Sequence, residues 1–262
     1  MKPFRAAFWA ETLKARRSKI SLLTSAGFTL LPLVAGLFMI ILKDPKRAKS
    51  MGLISVKAQV IAGVADWTTF FEILTQGTAI GGAVLFAIIT AWVFGREFSD
   101  HTVKELLALP TPRVSVVGAK FILTALWILG LTLFIFLVGL GIGAAVEIPG
   151  WSQELVWLSF WSLMMTALLT FMLMPFVAFF ASAGRGYLPP LGWTFLTLAL
   201  AQIVALLGWG DWFPWSVPAL FSGMAGSPTD QLGMHSYVLV LLAFIVGTSS
   251  TFAWWRSADQ TR

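Results

Sequence analysis

Apolar residues fall into six long runs separated by short polar segments: Ile20 to Leu42, Trp67 to Phe94, Phe121 to Ala145, Leu155 to Phe180, Leu188 to Leu207 and Tyr237 to Trp255. Each is close to or above the roughly 20 residues a helix needs to cross a hydrocarbon core about 30 Å thick. The pattern predicts an all-α, polytopic integral membrane protein with six transmembrane helices in a single domain spanning 1–262. The second run is longer than one crossing requires. This places Asp66 and Glu72 at an interface with Trp67, Phe70 and Phe71, and starts the membrane core near Thr75. Pro32 predicts a kink in the first span and Pro175 an interruption in the fourth. Gly77 with Gly81, and the set Gly139, Gly141 and Gly143, are positions where a neighbouring helix can approach closely.

The intervening segments differ in charge. Residues 1–19 carry Lys2, Arg5, Lys14, Arg16, Arg17 and Lys19, with Phe4, Phe8, Trp9 and Leu13 among them near helical spacing. They predict a basic helix lying in the membrane interface. This polar stretch is too long, and the apolar run after it too extended, for a cleavable signal, so the first run reads as a retained span. With both termini in the cytoplasm, thirteen of the 18 Lys and Arg lie inside. The other five, Lys43, Lys46, Arg47, Lys49 and Lys57, share the loop after the first span, which runs against the positive-inside tendency that the rest of the chain follows.

On that topology the stretch from Gly95 to Lys120 is cytoplasmic. Thr102 and Glu105 form a T-x-x-E capping box, so a helix of about two turns is expected to begin there and to stop before Pro110. Val103, Leu106, Leu107 and Pro110 recur at i, i+3, i+4 and i+7 and give it an apolar ridge, with Lys104 and Glu105 toward water. Such a helix is either a docking device or an interfacial loop helix whose leucines rest on lipid headgroups. Residues 208–236 form the other irregular segment. Trp209, Trp212, Phe213, Trp215 and Phe221 there alternate with Asp211, Pro214, Pro218 and glycines, as in an outer aromatic belt or a substrate-contacting surface.

Composition narrows the function classes. Hydrophobic residues make up 58% of the chain and charged residues 11%, against about 45–50% and about 25% in soluble domains. What remains outside the runs is too short for a catalytic or nucleotide-binding domain. The net charge of +6 is juxtamembrane, so nucleic acid is not an expected partner. With no cysteine there is no thiolate metal site, and His101 and His235 lie far apart in separate loops, so no metal is expected. The six cores contain no Asp, Glu, Lys, Arg or His, which removes ion-coupled carriers that keep ionisable groups at depth. There is no H-E-x-x-H and no G-x-x-x-x-G-K-[ST], so neither zinc chemistry nor a P-loop belongs to this chain. A transporter so built must take its energy from elsewhere, which argues for a separate ATPase docking on the inside.

The order Gly95-Arg96-Glu97, then Thr102, Leu106-Leu107, Pro110, Arg113 and Lys120, set between a second and a third span, resembles the cytoplasmic coupling region of type-2 ATP-binding-cassette (ABC-2) exporter permeases. The resemblance extends over the whole chain as a six-span half-transporter, and within the superfamily it is nearest to small permeases of bacterial bacitracin, lantibiotic or other peptide export and immunity systems. It implies a non-enzymatic permease subunit of the plasma (inner) membrane that acts as a dimer of identical or homologous chains. ATP and Mg would be bound and hydrolysed on a cytoplasmic partner ATPase, and this chain would bind no cofactor directly. Residues 1–19 become an elbow helix and 95–120 the coupling region, with Leu106 and Leu107 in a groove of the ATPase and Thr102 and Glu105 fixing the helix start. Arg96 and Glu97 anchor the end of the second span, pairing with the ATPase or the N-terminal helix, while Arg113 and Lys120 meet lipid phosphate. In 208–236, read as re-entrant on the outer side, Trp212, Trp215 and Pro218 form an exit gate for an amphipathic, peptide or lipid-like cargo. The alternative is a non-transporting structural or sensory membrane protein that binds a partner.

Overall fold

The computed structural model describes residues 2–43, 64–108, 110–224 and 232–257. Every regular element among them is helical: α1 (Lys2–Arg17), α2 (Ile20–Lys43), α3 (Trp67–Gly77), a π-helical turn (Thr78–Gly82), α4 (Ala83–Ser99), α5 (Val103–Ala108), α6 (Arg113–Ala145), α7 (Gln153–Phe171), α8 (Met174–Ala183), α9 (Leu188–Leu206), a 3-10 turn (Gly210–Trp212), α10 (Val217–Phe221) and α11 (Met234–Ser257). Six stretches are long and apolar enough to cross a membrane: α2, α3 through α4, α6, α7 through α8, α9 and α11. They match the six apolar runs, but the second and third outlast theirs. The second runs on to Ser99 and the third begins at Arg113, so half of 95–120 is helix continuing the spans.

Two spans are interrupted. The fourth breaks at Met172 and Leu173, and Pro175 falls in the first turn of α8, where a missing backbone N–H costs nothing. The Pro175 carbonyl accepts from Thr251 Oγ1 of α11 at 3.2 Å. A Cβ added at Gly247 would lie 3.0 Å from the Phe176 nitrogen, so the last helix meets this break at backbone distance. The second span has no proline and instead widens into the π turn at Thr78–Gly82, a feature that recurs at functional sites.

Glycine spacing sets the packing. A Cβ on Gly139 would come 2.8 Å from Leu74, and one on Gly143 2.3 Å from Trp67, whereas Gly141 faces open space. At 100° per residue, i and i+4 share a face and i+2 does not. The seam is therefore Gly139 with Gly143. Similarly Gly77 lies against Leu31 of α2, while Gly81 faces nothing. This seam explains a departure from the sequence pattern. Trp67, Phe70 and Phe71, expected at an interface, are buried, with 2%, 0% and 3% of their surfaces exposed, because α3 lies in the groove of α6 and Trp67 stacks edge-on against Trp151 at 4.9 Å.

The ends of the spans sort into two sides. Lys43 at the end of α2 donates to the carbonyls of Val146 and Glu147 at the end of α6, and Trp67 N donates to Pro149 O. At the opposite side α1, α5, the turn at 184–187 and the end of α11 come together. Three helices there and on the far side end with a non-glycine residue in the left-handed region: His101 (φ 58°), Glu147 (φ 54°) and Arg185 (φ 54°). After α4, Thr102 N reaches Glu97 O at 2.9 Å and His101 N reaches Phe98 O at 3.3 Å. This is the Schellman pattern, which satisfies the last carbonyls. Inside the spans, buried threonines such as Thr78, Thr90, Thr124 and Thr132 return their hydroxyls to the carbonyl four residues back, so they add no unpaired polar group to the bilayer.

Candidate functional site

At the end of the second span and the start of the third, α1, α4 and α6 converge on four ionisable side chains. Glu97 projects from the last turns of α4, Lys120 from the third turn of α6, and Glu11 and Lys14 from one face of α1. Lys120 Nζ lies 2.8 and 3.0 Å from the two Glu97 oxygens and 3.2 Å from Glu11 Oε2, and it also donates to Val93 O. All three ammonium protons therefore have acceptors. Lys14 Nζ closes the ring at 2.7 Å from Glu11 Oε1 and 2.9 Å from Glu97 Oε1. Lys120 is fully buried and Glu11 and Glu97 are each 4% exposed. Two acids and two bases cancel, which is how charge survives burial. Burial alone would pull the Lys14 ammonium below its ordinary pKa, but the Glu97 and Glu11 carboxylates outweigh it and hold the value above 10.5.

This cluster corrects the assignment of Lys120 to lipid phosphate. The third span starts at Arg113, so Lys120 sits two turns inside a continuous helix on the face turned toward α4 and α1. Arg113 is likewise turned inward, donating to the carbonyls of Trp255 and Arg256 at the end of α11. Of the two partners open to Glu97, the structure supplies the N-terminal helix. Arg96 stays at the rim, 3.0 Å from Asp100 and over the Trp92 ring at 5.0 Å. Apolar contacts reinforce the base. Ala7, Val116 and Ala119 form a small core with Phe4 and Phe8 packed on it, while Phe98 meets both Trp254 and Trp255. Gly95 is required for close approach, since its Cβ would lie 3.0 Å from the Gly186 carbonyl.

On this base stands α5. Val103 anchors it, buried to 7% exposure, while Thr102, Lys104, Glu105 and Pro110 are exposed. The helix ends two residues before Pro110, as expected. The side chains of Leu106 and Leu107, residue Leu109, and the loop bearing Lys46, Arg47, Lys49 and Lys57 lie outside the described residues.

Across the molecule the three proposed gate residues separate. Trp215 packs against Phe176, Trp193 and Phe213. With Pro218 it lines a cavity of about 20 Å³ whose other walls include Ala79 within the π turn and Ala83 just after it, and Leu173 and Met174 at the break in the fourth span. Trp212 does not join them. It is 59% exposed and stacks on His235 at 4.4 Å, and His235 Nε2 lies 3.1 Å from Asp211. His235 is thus engaged by Trp212 and Asp211.

Six apolar spans, two of them interrupted next to a small cavity, over a charge-paired base that carries a short helix, define a multi-pass membrane protein. The chain belongs to the family of ABC-2 transporter proteins, whose profile matches residues 7–202. It is 25% identical over 178 residues to the bacitracin transport permease protein BcrB of Bacillus licheniformis, an alignment covering 68% of this chain and 85% of that protein. Family membership sets aside the non-transporting reading.

Proposed function

We propose that this permease is the membrane half of an exporter in the plasma membrane, driven by a separate cytoplasmic ATPase that docks on α5. The observation that carries the reading is mechanical. α5 presents Lys104 and Glu105 to solvent, yet it is tied at its start to the Glu97 carbonyl, and Glu97 is locked by Lys120 and Lys14 to the third span and to α1. A push on α5 therefore moves two spans and the N-terminal helix together, because a neutral, fully hydrogen-bonded buried cluster resists shear. The motion would reach the π turn and the Met172–Leu173 break, where spans that are already interrupted bend at least cost, and from there Trp215 and Pro218.

In this account ATP and Mg reside on the partner, both termini are cytoplasmic, and a second permease chain completes the path. An amphipathic, peptide-like or lipid-like cargo fits the aromatic surroundings of the outer segment, and the relative's name, a bacitracin transport permease, supports a peptide. The test is recovery of the ATPase with the detergent-solubilised permease. Leu106→Asp with Leu107→Asp is expected to abolish recovery while leaving the six-span protein folded; undiminished recovery removes α5 as the docking element.

A further inference from the structure

On the side opposite α5 a groove of about 380 Å³ opens between α3, α7 and the turn after α10. Glu72, Gln76 and Thr68 line one wall, Ser159 and Ser162 the other, and Ser222 closes the end, with Phe71, Leu158 and Phe221 as its apolar surface. Leaving aside Glu154 in the first turn of α7, Glu72 and Glu97 are the acids inside the spans among the described residues. Glu97 is committed to two lysines, whereas Glu72 makes no ion pair among the described residues. Glu72 is exposed on the groove wall near the start of the second span, so its carboxylate is accessible to a ligand entering there. The second span lines both the groove and the small cavity. Ala79 and Ala83, one and two turns beyond Gln76 along the same span, line the small cavity bounded by Trp215 and Pro218.

We propose that this groove binds the ammonium group of an amphipathic molecule, with Glu72 as its counter-ion. The Gln76 carbonyl and the serine and threonine hydroxyls accept the remaining N–H bonds, while Phe71, Leu158 and Phe221 receive the apolar body. This division of labour, a few convergent polar groups on an otherwise apolar wall, is that of a small-molecule site. It deepens the transport reading by naming the chemical class of the cargo, and it rests on that reading only for the word cargo. The ammonium can come from a soluble amphiphile or from an aminophospholipid headgroup.

The test uses the full chain in phosphatidylcholine nanodiscs, with dansylcadaverine, a primary alkylammonium carrying an aromatic group, and its neutral N-acetyl derivative as probes. Fluorescence titration is expected to show the amine bound about tenfold or more tightly than the acetylated form, the effect of one charge-assisted hydrogen bond. Glu72→Gln removes that preference and Glu72→Asp retains it. Equal affinity of the parent for both probes, or an unchanged preference in folded Glu72→Gln, overturns the proposal; the comparison on the parent decides even if the variant does not fold. Adding phosphatidylethanolamine to the discs separates the two sources: competition assigns the site to a lipid headgroup, and its absence to a soluble amphiphile. ATPase recovery on the same preparation is read independently, so an amine preference without a copurifying ATPase keeps the site and rejects the coupling scheme.

Discussion

Replacing Lys120 with methionine tests the buried cluster directly. The side chain is fully buried, and methionine is close to it in length and flexibility, so little packing is lost. What changes is charge. Glu11 and Glu97 are left sharing the single ammonium of Lys14, one uncompensated negative charge stays in a site that excludes water, and Val93 O loses its donor. Breaking a buried pair from one side costs about 3–5 kcal/mol. At about 2–4 °C per kcal/mol for a domain of this order of size, the melting temperature should fall by about 6–20 °C. The assay is thermal unfolding of the purified chain in nanodiscs followed by tryptophan fluorescence, with the scan rate held constant because membrane proteins often unfold irreversibly. The double variant Lys120→Met with Glu97→Gln restores neutrality around Glu11 and Lys14 and should recover most of the loss. A melting temperature for Lys120→Met within 2 °C of the parent, or a double variant less stable than the single, would refute the claim that charge balance holds α1 to the spans.

Relief of the left-handed residue at His101 (φ 58°) by His101→Gly should stabilise the protein by about 1 kcal/mol in the same melt. Gly143→Leu should destabilise it by about 1–3 kcal/mol or more by driving α6 off Trp67, while Gly141→Leu, which meets open space, should be near neutral; equal effects would contradict the seam. Lys14, whose pKa is raised in the folded protein, contributes stability that is complete below its unfolded value near 10.5 and is lost as pH rises through the higher folded value. Cleavage of α1 by protease should therefore stay slow from pH 7 to 10 and accelerate only above that range, with Lys14→Met removing much of the alkaline acceleration; a steady rise from pH 7 would contradict the assignment.

The six spans were legible because each is a continuous apolar run, and the break at Pro175 because proline carries its own backbone rule. The position of α5 was legible from Thr102 and Pro110, between which it lies. The charge cluster was not, since Glu11 and Lys120 are 109 positions apart and local periodicity has no means of pairing them. Two signals pointed to it nonetheless. Glu11 is the single acid among the basic residues of 1–19, and Lys120 stands between Val116, Val117 and Ala119 on one side and Phe121 and Leu123 on the other, an apolar setting unlike a membrane rim. The π turn has no proline to announce it, and choosing between Gly139, Gly141 and Gly143 required knowing which face of α6 meets α3. Which of Trp212 and Trp215 lines the cavity was not legible, because tryptophan content marks an interface without saying which rings turn inward.

The central claim is that α5 is the surface through which a separate ATPase acts. Because the chain contains no cysteine, Glu105→Cys introduces a unique thiol on the exposed face of α5 and Trp212→Cys one at the opposite end of the molecule. Each variant is expressed with the ATPase, and membranes are treated with a short bifunctional maleimide cross-linker. The account predicts a permease–ATPase adduct from position 105, altered by ATP, and none from position 212. An adduct from 212 alone, or none from 105 where the ATPase still copurifies, would place the docking surface elsewhere and contradict the coupling scheme.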